Sequence, residues 1–77
     1  MKKITYIVTY DGWSIAEGPV LFTSTVTCYK FEAIRRIGRI GEGVHFGCMD
    51  YRKAFHGHIA NVEIIKGEVY DYPTVDD

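Results

Sequence analysis

The chain has 77 residues, of which 47% are hydrophobic and 25% are charged. This length allows one domain and excludes enzymes that combine a nucleotide-binding domain with a separate substrate domain. The composition is that of a globular protein and argues against intrinsic disorder. A net charge of −1 also disfavours a dedicated nucleic-acid-binding protein, because such proteins usually carry a clear basic excess.

Charge is distributed unevenly along the chain. Residues 1–40 carry six basic and three acidic side chains, a net +3, whereas residues 41–77 carry three basic and seven acidic ones, a net −4. This asymmetry predicts two faces or two ends of opposite sign.

The two cysteines, Cys28 and Cys48, are too few for a disulfide framework, so we expect free thiols and a reducing, cytoplasmic location. Polar residues interrupt the apolar N-terminal run, which favours a strand there over a signal peptide. No stretch approaches the roughly 20 apolar residues of a membrane helix, and we expect no membrane contact.

The first half of the chain predicts a β-hairpin. Residues 3–10 alternate β-branched and aromatic side chains, the pattern of a strand. Residues 11–19 contain several turn signals and predict a long connection that holds Trp13. Residues 20–28 predict a second strand, which we expect to pair with the first in antiparallel fashion.

Residues 29–40 change to the period of a helix. On a helical wheel, Ile34 and Ile37 lie on an apolar stripe. Three arginines lie on the opposite arc: Arg35, Arg36 and Arg39. Gly38 inside this helix would cost about 1 kcal/mol relative to alanine, and Gly41 would end it.

The second half of the chain predicts further strands over residues 44–50 and 58–65, with 52–57 ambiguous. A turn at 66–68 would lead to a short edge strand at 69–72.

The predicted element order gives an α+β fold. It consists of a small antiparallel sheet of about four strands, in the order β-β-α-β-β, with one amphipathic helix packed on one face. This single domain would span residues 1–72, and residues 73–77 would form a flexible acidic C-terminal tail.

Four residues of the types that bind zinc lie close together in the sequence. His56 and His58 share one face of a strand. His45 and Cys48 are three positions apart, so an extended strand would direct them to opposite faces. The paired Cys-x-x-Cys of structural zinc sites is missing, so the favoured interpretation is three surface or half-buried histidines, a core cysteine and no metal or other cofactor. These four residues are His45, Cys48, His56 and His58.

No sequence motif indicates catalysis. A nucleophilic Cys48 would need a nearby base such as His45 or His56, and a domain of this size offers little room for an oxyanion site. We therefore expect a protein that is not an enzyme.

The arginine arc raises nucleic-acid binding as an alternative function, because arginines on one helix face can contact phosphates. Interleaved acidic residues, Glu32 and Glu42, favour an ordinary solvated face instead. Aromatic side chains beside the arginines, which a nucleic-acid surface needs, are not evident.

Leftover aromatic residues favour protein binding. Trp13 in its loop, and Tyr70, Asp71 and Tyr72 near the acidic tail, have the composition of interface anchors for a basic partner. Threonines with Ile7 and Leu21 would line the sheet face that the helix leaves open, and free sheet edges would allow a homodimer.

These features together predict a small non-enzymatic protein-binding module. We expect it to act by occluding a partner's surface, in the manner of phage or mobile-element proteins that inhibit a host defence or regulatory protein. The predicted partner-binding residues are Trp13, Tyr70, Asp71, Tyr72, Arg35, Arg36 and Arg39. The alternatives are a nucleic-acid-binding module on the arginine face and a small zinc-binding module.

Overall fold

The computed structural model describes residues 2–65 and 72–76. Its four strands form one antiparallel sheet with the order β2-β1-β4-β3, and one short helical segment follows the first hairpin. The predicted small, mostly antiparallel fold is therefore confirmed. The strands are β1 (Ile4–Ser14), β2 (Gly18–Cys28), β3 (Gly43–Phe46) and β4 (Phe55–Ile64).

The N-terminal hairpin is longer and tighter than predicted. β1 and β2 pair over eleven residues each, from Ile4 opposite Cys28 to Ser14 opposite Gly18. The predicted connection over 11–19 is therefore wrong, because only residues 15–17 remain between the strands. Pro19 fits the ladder because β2 is an edge strand, where a missing N–H can face away from its neighbour.

A β-bulge sets the two faces of β4. Thr9 pairs with Asn61 but the next residue of β1 pairs with Ile59, so Ala60 is the extra residue. Ile59 and Val62 are consequently both buried, although they are three positions apart. A strand without a bulge would have turned one of them to the opposite face.

The helical segment is shorter than the predicted helix over 29–40. A 3-10 turn at Lys30–Glu32 continues into the α-helix α1 (Ala33–Arg36), seven residues in all. Gly38 then takes a positive φ of 103°, the left-handed conformation that commonly ends helices. The prediction was wrong at its C-terminal end because the chain continues in extended form.

Residues after Gly38 form backbone hydrogen bonds with β4 and with the C-terminal segment. The amide of Gly41 donates to the carbonyl of Ile59 at 2.7 Å, and Ile59 donates back to Glu42 at 3.0 Å. Ile40 forms a parallel bridge with Thr74. Ile40, predicted to lie in the helix, is thus part of an extended segment.

β3 and β4 also differ from their predicted bounds. β3 ends at Phe46 instead of continuing to residue 50, because Asp50 caps a 3-10 turn at Tyr51–Lys53 by accepting a hydrogen bond from the amide of Arg52 at 3.0 Å. β4 begins at Phe55, within the stretch that sequence patterns left ambiguous.

The core lies on one face of the sheet. Tyr6, Val8 and Ile59 are fully buried, and residues from the helical segment and the C-terminal segment belong to the same apolar cluster. The other buried members of this cluster are Tyr10, Cys28, Ala33, Ile37, Phe55, Val62 and Tyr72.

The predicted turn at 66–68 and most of the predicted edge strand at 69–72 lie outside the described residues. Tyr72 is described and belongs to no strand. Within the described residues, no helix is long and apolar enough to cross a membrane.

Candidate protein-binding site

The sheet face opposite the core, here called the open face, follows from strand alternation. Seven of its β1 and β2 positions, the threonines with Ile7 and Leu21, are those predicted to line it, whereas Asp11, Trp13 and Pro19 were predicted to lie in a connection. The β2 positions are the more exposed ones. Its strand residues include the carboxylates Asp11 and Glu63 and no lysine or arginine. They are Thr5, Ile7, Thr9, Asp11, Trp13, Pro19, Leu21, Thr23, Thr25, Thr27, His45, His56, His58, Asn61 and Glu63.

One row of side chains crosses the open face over all four strands. Trp13 pairs with Pro19 on one side and with His56 on the other, and His56 pairs with His45. The Trp13 and His56 rings stack, with centroids 4.8 Å apart and planes at 23°. The His56 and His45 rings are 4.6 Å apart at 47°. We call these four residues the Trp13 row.

Trp13 is held in place and still accessible. It lies within β1, not in the predicted loop, and its side chain is 50% exposed. Stacking on His56 covers part of the indole and restricts its rotamers. A pre-positioned and exposed tryptophan is the type of side chain that anchors protein interfaces.

Apolar side chains extend the exposed surface beside the Trp13 row. Leu21 on β2 is 70% exposed, and Ile15 in the hairpin turn is 58% exposed. Asp11 separates Leu21 from His58 in the next row of the sheet. The surface is therefore apolar and aromatic at one end of the open face, with a carboxylate at its border.

The sheet beneath the Trp13 row is tightly packed. Gly12 and Gly57 pair across β1 and β4, and the Phe55 ring lies over both, with its Cζ 2.7 Å from the place where either Cβ would stand. Tyr10 stacks on Phe22 in the same cluster, at 5.0 Å between centroids. Burial raises the pKa of the Tyr10 phenol above its usual value.

The predicted arginine face is only partly formed. Arg35 and Arg36 lie in α1, with Nη2 and Nε at 3.7 Å and 3.5 Å from Glu32 Oε2. Arg39 comes after Gly38, where the helix has ended, so the three side chains do not share one helix face as predicted. All three are exposed.

The C-terminal segment does not offer Tyr72 as an anchor. Tyr72 is 6% exposed, and its hydroxyl donates to the carbonyl of Gly38 at 2.6 Å. The expectation of an exposed Tyr72 is therefore wrong, because the ring is part of the core. Tyr70 and Asp71 lie outside the described residues.

Backbone hydrogen bonds join the last described residues to the segment after α1. The amide of Ile40 donates to Pro73 at 3.0 Å, and the amide of Val75 donates to Ile40 at 3.0 Å. These hydrogen bonds do not test how mobile the segment is, so the flexibility of residues 73–77 remains a prediction.

Of the four zinc-type residues, the structure brings His45 and His56 into contact. His58 lies two residues further along the same face of β4 and is exposed. Cys48 is exposed rather than in the core, because β3 ends before it; Cys28 is the buried cysteine. In the described ranges, no group of three or more His, Cys, Asp or Glu residues is placed to hold a metal ion.

Sequence patterns missed the contact between Trp13 and His56. The two residues are far apart in the chain, and their contact depends on how β1 and β4 align. No sequence signal indicated it, since residues 11–19 were predicted to be a connection and 52–57 were ambiguous. Comparison of the chain with protein-family models, curated proteins and solved structures finds no match.

Proposed function

We propose that this chain is a small non-enzymatic protein-binding module whose open face contacts a basic surface of a protein partner. The observation that carries this proposal is the Trp13 row, in which an exposed tryptophan is stacked on His56 at one end of a sheet face whose described strand residues include no lysine or arginine. The helical segment would then serve the fold, by covering the opposite face of the sheet.

The charge of the open face supports a basic partner. Asp11 and Glu63 are its carboxylates, and Asp11 lies beside the exposed Leu21. Complementary charge speeds encounter and selects the partner, whereas buried aromatic anchors supply most of the affinity. A partner that presents lysines or arginines around an apolar depression fits both features.

The size of the chain is sufficient for this function. Its accessible surface is 5512 Å², and a standard interface needs about 800 Å² on each partner. The chain therefore has enough accessible surface for one interface of standard size. Such a module would act by occluding its partner's surface, as an inhibitor does.

The arginine face receives less support as a nucleic-acid-binding surface. Two of its three arginines lie beside Glu32, which offsets part of their charge. The helix also ends before Arg39, so the arginines are not arranged on one rigid helix face.

Affinity capture with three forms of the protein tests the proposal. The parent, Trp13→Ala and Phe31→Ala would each be immobilised and exposed to lysate of the source cells. Phe31 is the matched control because it is an exposed aromatic residue, 71% accessible, in the helical segment instead of the open face.

We expect a partner that the parent and Phe31→Ala retain and Trp13→Ala loses. Titration of the purified partner would then give a loss of about 2 kcal/mol or more for Trp13→Ala, the size expected of a hot spot. Equal binding by all three forms would contradict the proposed site. Arg35→Ala and Arg36→Ala would be captured in the same way as a further pair, and binding lost only in these two would move the interface to the arginine face.

A further inference from the structure

β2 is an edge strand without charged side chains. It lies at the end of the sheet order, so one side of its backbone has no neighbouring strand among the residues that the structure describes. None of its eleven residues, Gly18–Cys28, is acidic or basic. At its centre, Thr23, Ser24 and Thr25 are exposed in succession, so both faces of the strand are uncovered there.

The two edges of the sheet differ in how they are protected. Sheet edges usually avoid pairing by being short, by carrying charges or by containing proline. β3 forms the other edge and has four residues, which makes it short. β2 has its proline, Pro19, only at its N-terminal end, so the rest of the edge remains able to pair.

We propose that β2 pairs in antiparallel fashion with β2 of a second copy of this chain, forming one continuous eight-stranded sheet. A two-fold interface brings the same surface against itself. A charged edge would then repel its own copy, whereas an uncharged one is compatible with itself. This inference does not depend on the proposed function.

The side chains of β2 are also suited to self-pairing. β2 spans residues 18–28, so its midpoint is Thr23, and a two-fold axis there would place the two Thr23 side chains opposite each other. The open face already contains such a pair, because the hydroxyls of Thr5 and Thr27 lie 3.0 Å apart across β1 and β2. The same axis would set the exposed Leu21 opposite Thr25 of the other copy.

This pairing determines the relative orientation of the open faces of the two copies. The two-fold axis relating antiparallel strands stands perpendicular to the sheet, so both open faces would lie on the same side. The dimer would then present two Trp13 rows in one direction.

Light scattering of the purified full chain, coupled to gel filtration, tests this dimer over about 1 μM to about 1 mM. We expect the parent to form a dimer, and Thr23→Lys to raise the dissociation constant at least tenfold. A lysine at position 23 stays within the paired region for any register centred near the middle of β2. Two such lysines would face each other at the interface.

Asn61→Lys is the matched control. Asn61 is exposed on the same face but belongs to β4, an interior strand, so this lysine adds equal charge away from the edge and should leave the dimer intact. Thr25→Lys provides a second edge variant if Thr23→Lys fails to fold by circular dichroism. Hydrogen exchange should show β2 amides gaining protection as concentration rises.

A chain that is monomeric over the whole concentration range overturns the proposal. So does a dimer that Asn61→Lys weakens as much as the edge variants do, since that places the contact on the open face. A dimer in which β2 amides gain no protection also overturns it.

Discussion

The hydroxyl of Tyr72 donates a hydrogen bond of 2.6 Å to the carbonyl of Gly38. The same hydroxyl lies 3.3 Å from the carbonyl of Ala33. The Ala33 carbonyl already accepts the amide of Ile37 at 2.7 Å, so the main contribution of Tyr72 is the hydrogen bond to the buried carbonyl of Gly38, just after the end of α1. This residue joins the C-terminal segment to the point where the helix ends.

Tyr72→Phe removes that hydroxyl and keeps the ring. We expect it to lower the free energy of unfolding by about 1–2 kcal/mol, because the buried carbonyl of Gly38 loses the hydroxyl donor. Tyr72→Ala should cost about 3–5 kcal/mol, because it also leaves a cavity. Urea denaturation measures both, with Tyr51→Phe as the exposed control. A Tyr72→Phe protein as stable as the parent would contradict the role of the hydroxyl.

The helix shows where sequence patterns reach their limit. The predicted apolar positions were only partly right, because Ile37 is buried in the core whereas Phe31, also assigned to the apolar side, is 71% exposed. Its length was wrong, because Ile40 takes its backbone partners from Pro73 and Val75. A pattern read within a short window contains no information about partners supplied by a distant segment.

Gly12 and Gly57 lie where β1 and β4 pair beneath the Trp13 row. A Cβ on Gly12 would stand 2.6 Å from the Cα of Gly57 and 2.7 Å from the Cζ of Phe55. We therefore expect Gly12→Ala to lower the free energy of unfolding by about 3 kcal/mol, as overpacking does. Thermal and urea unfolding measure this change.

Gly47→Ala is the control for Gly12→Ala, because no atom lies within 4 Å of its added Cβ. Its effect should stay within about 0.5 kcal/mol, as for other surface substitutions. Equal stability of the two variants would show that the strands can separate to admit a methyl group.

Tyr10 gives the fold a dependence on alkaline pH. Burial raises the pKa of its phenol above 10.0. The folded chain therefore keeps a proton that the unfolded chain loses, so this contribution is complete below pH 10 and declines as the pH rises further.

Tyr10→Phe lacks this titration. Urea unfolding of the parent and the variant between about pH 9 and about pH 11 should show a steeper loss of stability for the parent. Parallel curves would mean that the phenol titrates equally in both states.

The candidate site was predictable only in part: Trp13 was identified as a binding residue but placed in a loop, although it lies in β1. Strand alternation correctly placed Ile7 and Leu21 on the open face. The contact between Trp13 and His56 requires the register of β1 and β4, which are separated by 40 residues. Alternation within each strand leaves that register open, and the bulge at Ala60 shifts it further.

Trp13 is the single tryptophan of the chain, so its fluorescence reports directly on the Trp13 row. His56→Ala removes the ring stacked on the indole at 4.8 Å, and we expect emission shifted to longer wavelength as water reaches that face. Stability should fall by less than about 1 kcal/mol, because the pair is partly exposed. His58→Ala is the control, since His58 shares the open face but lies in the next row, opposite Asp11. Identical spectra for the parent and His56→Ala would show that the two rings do not stack in solution.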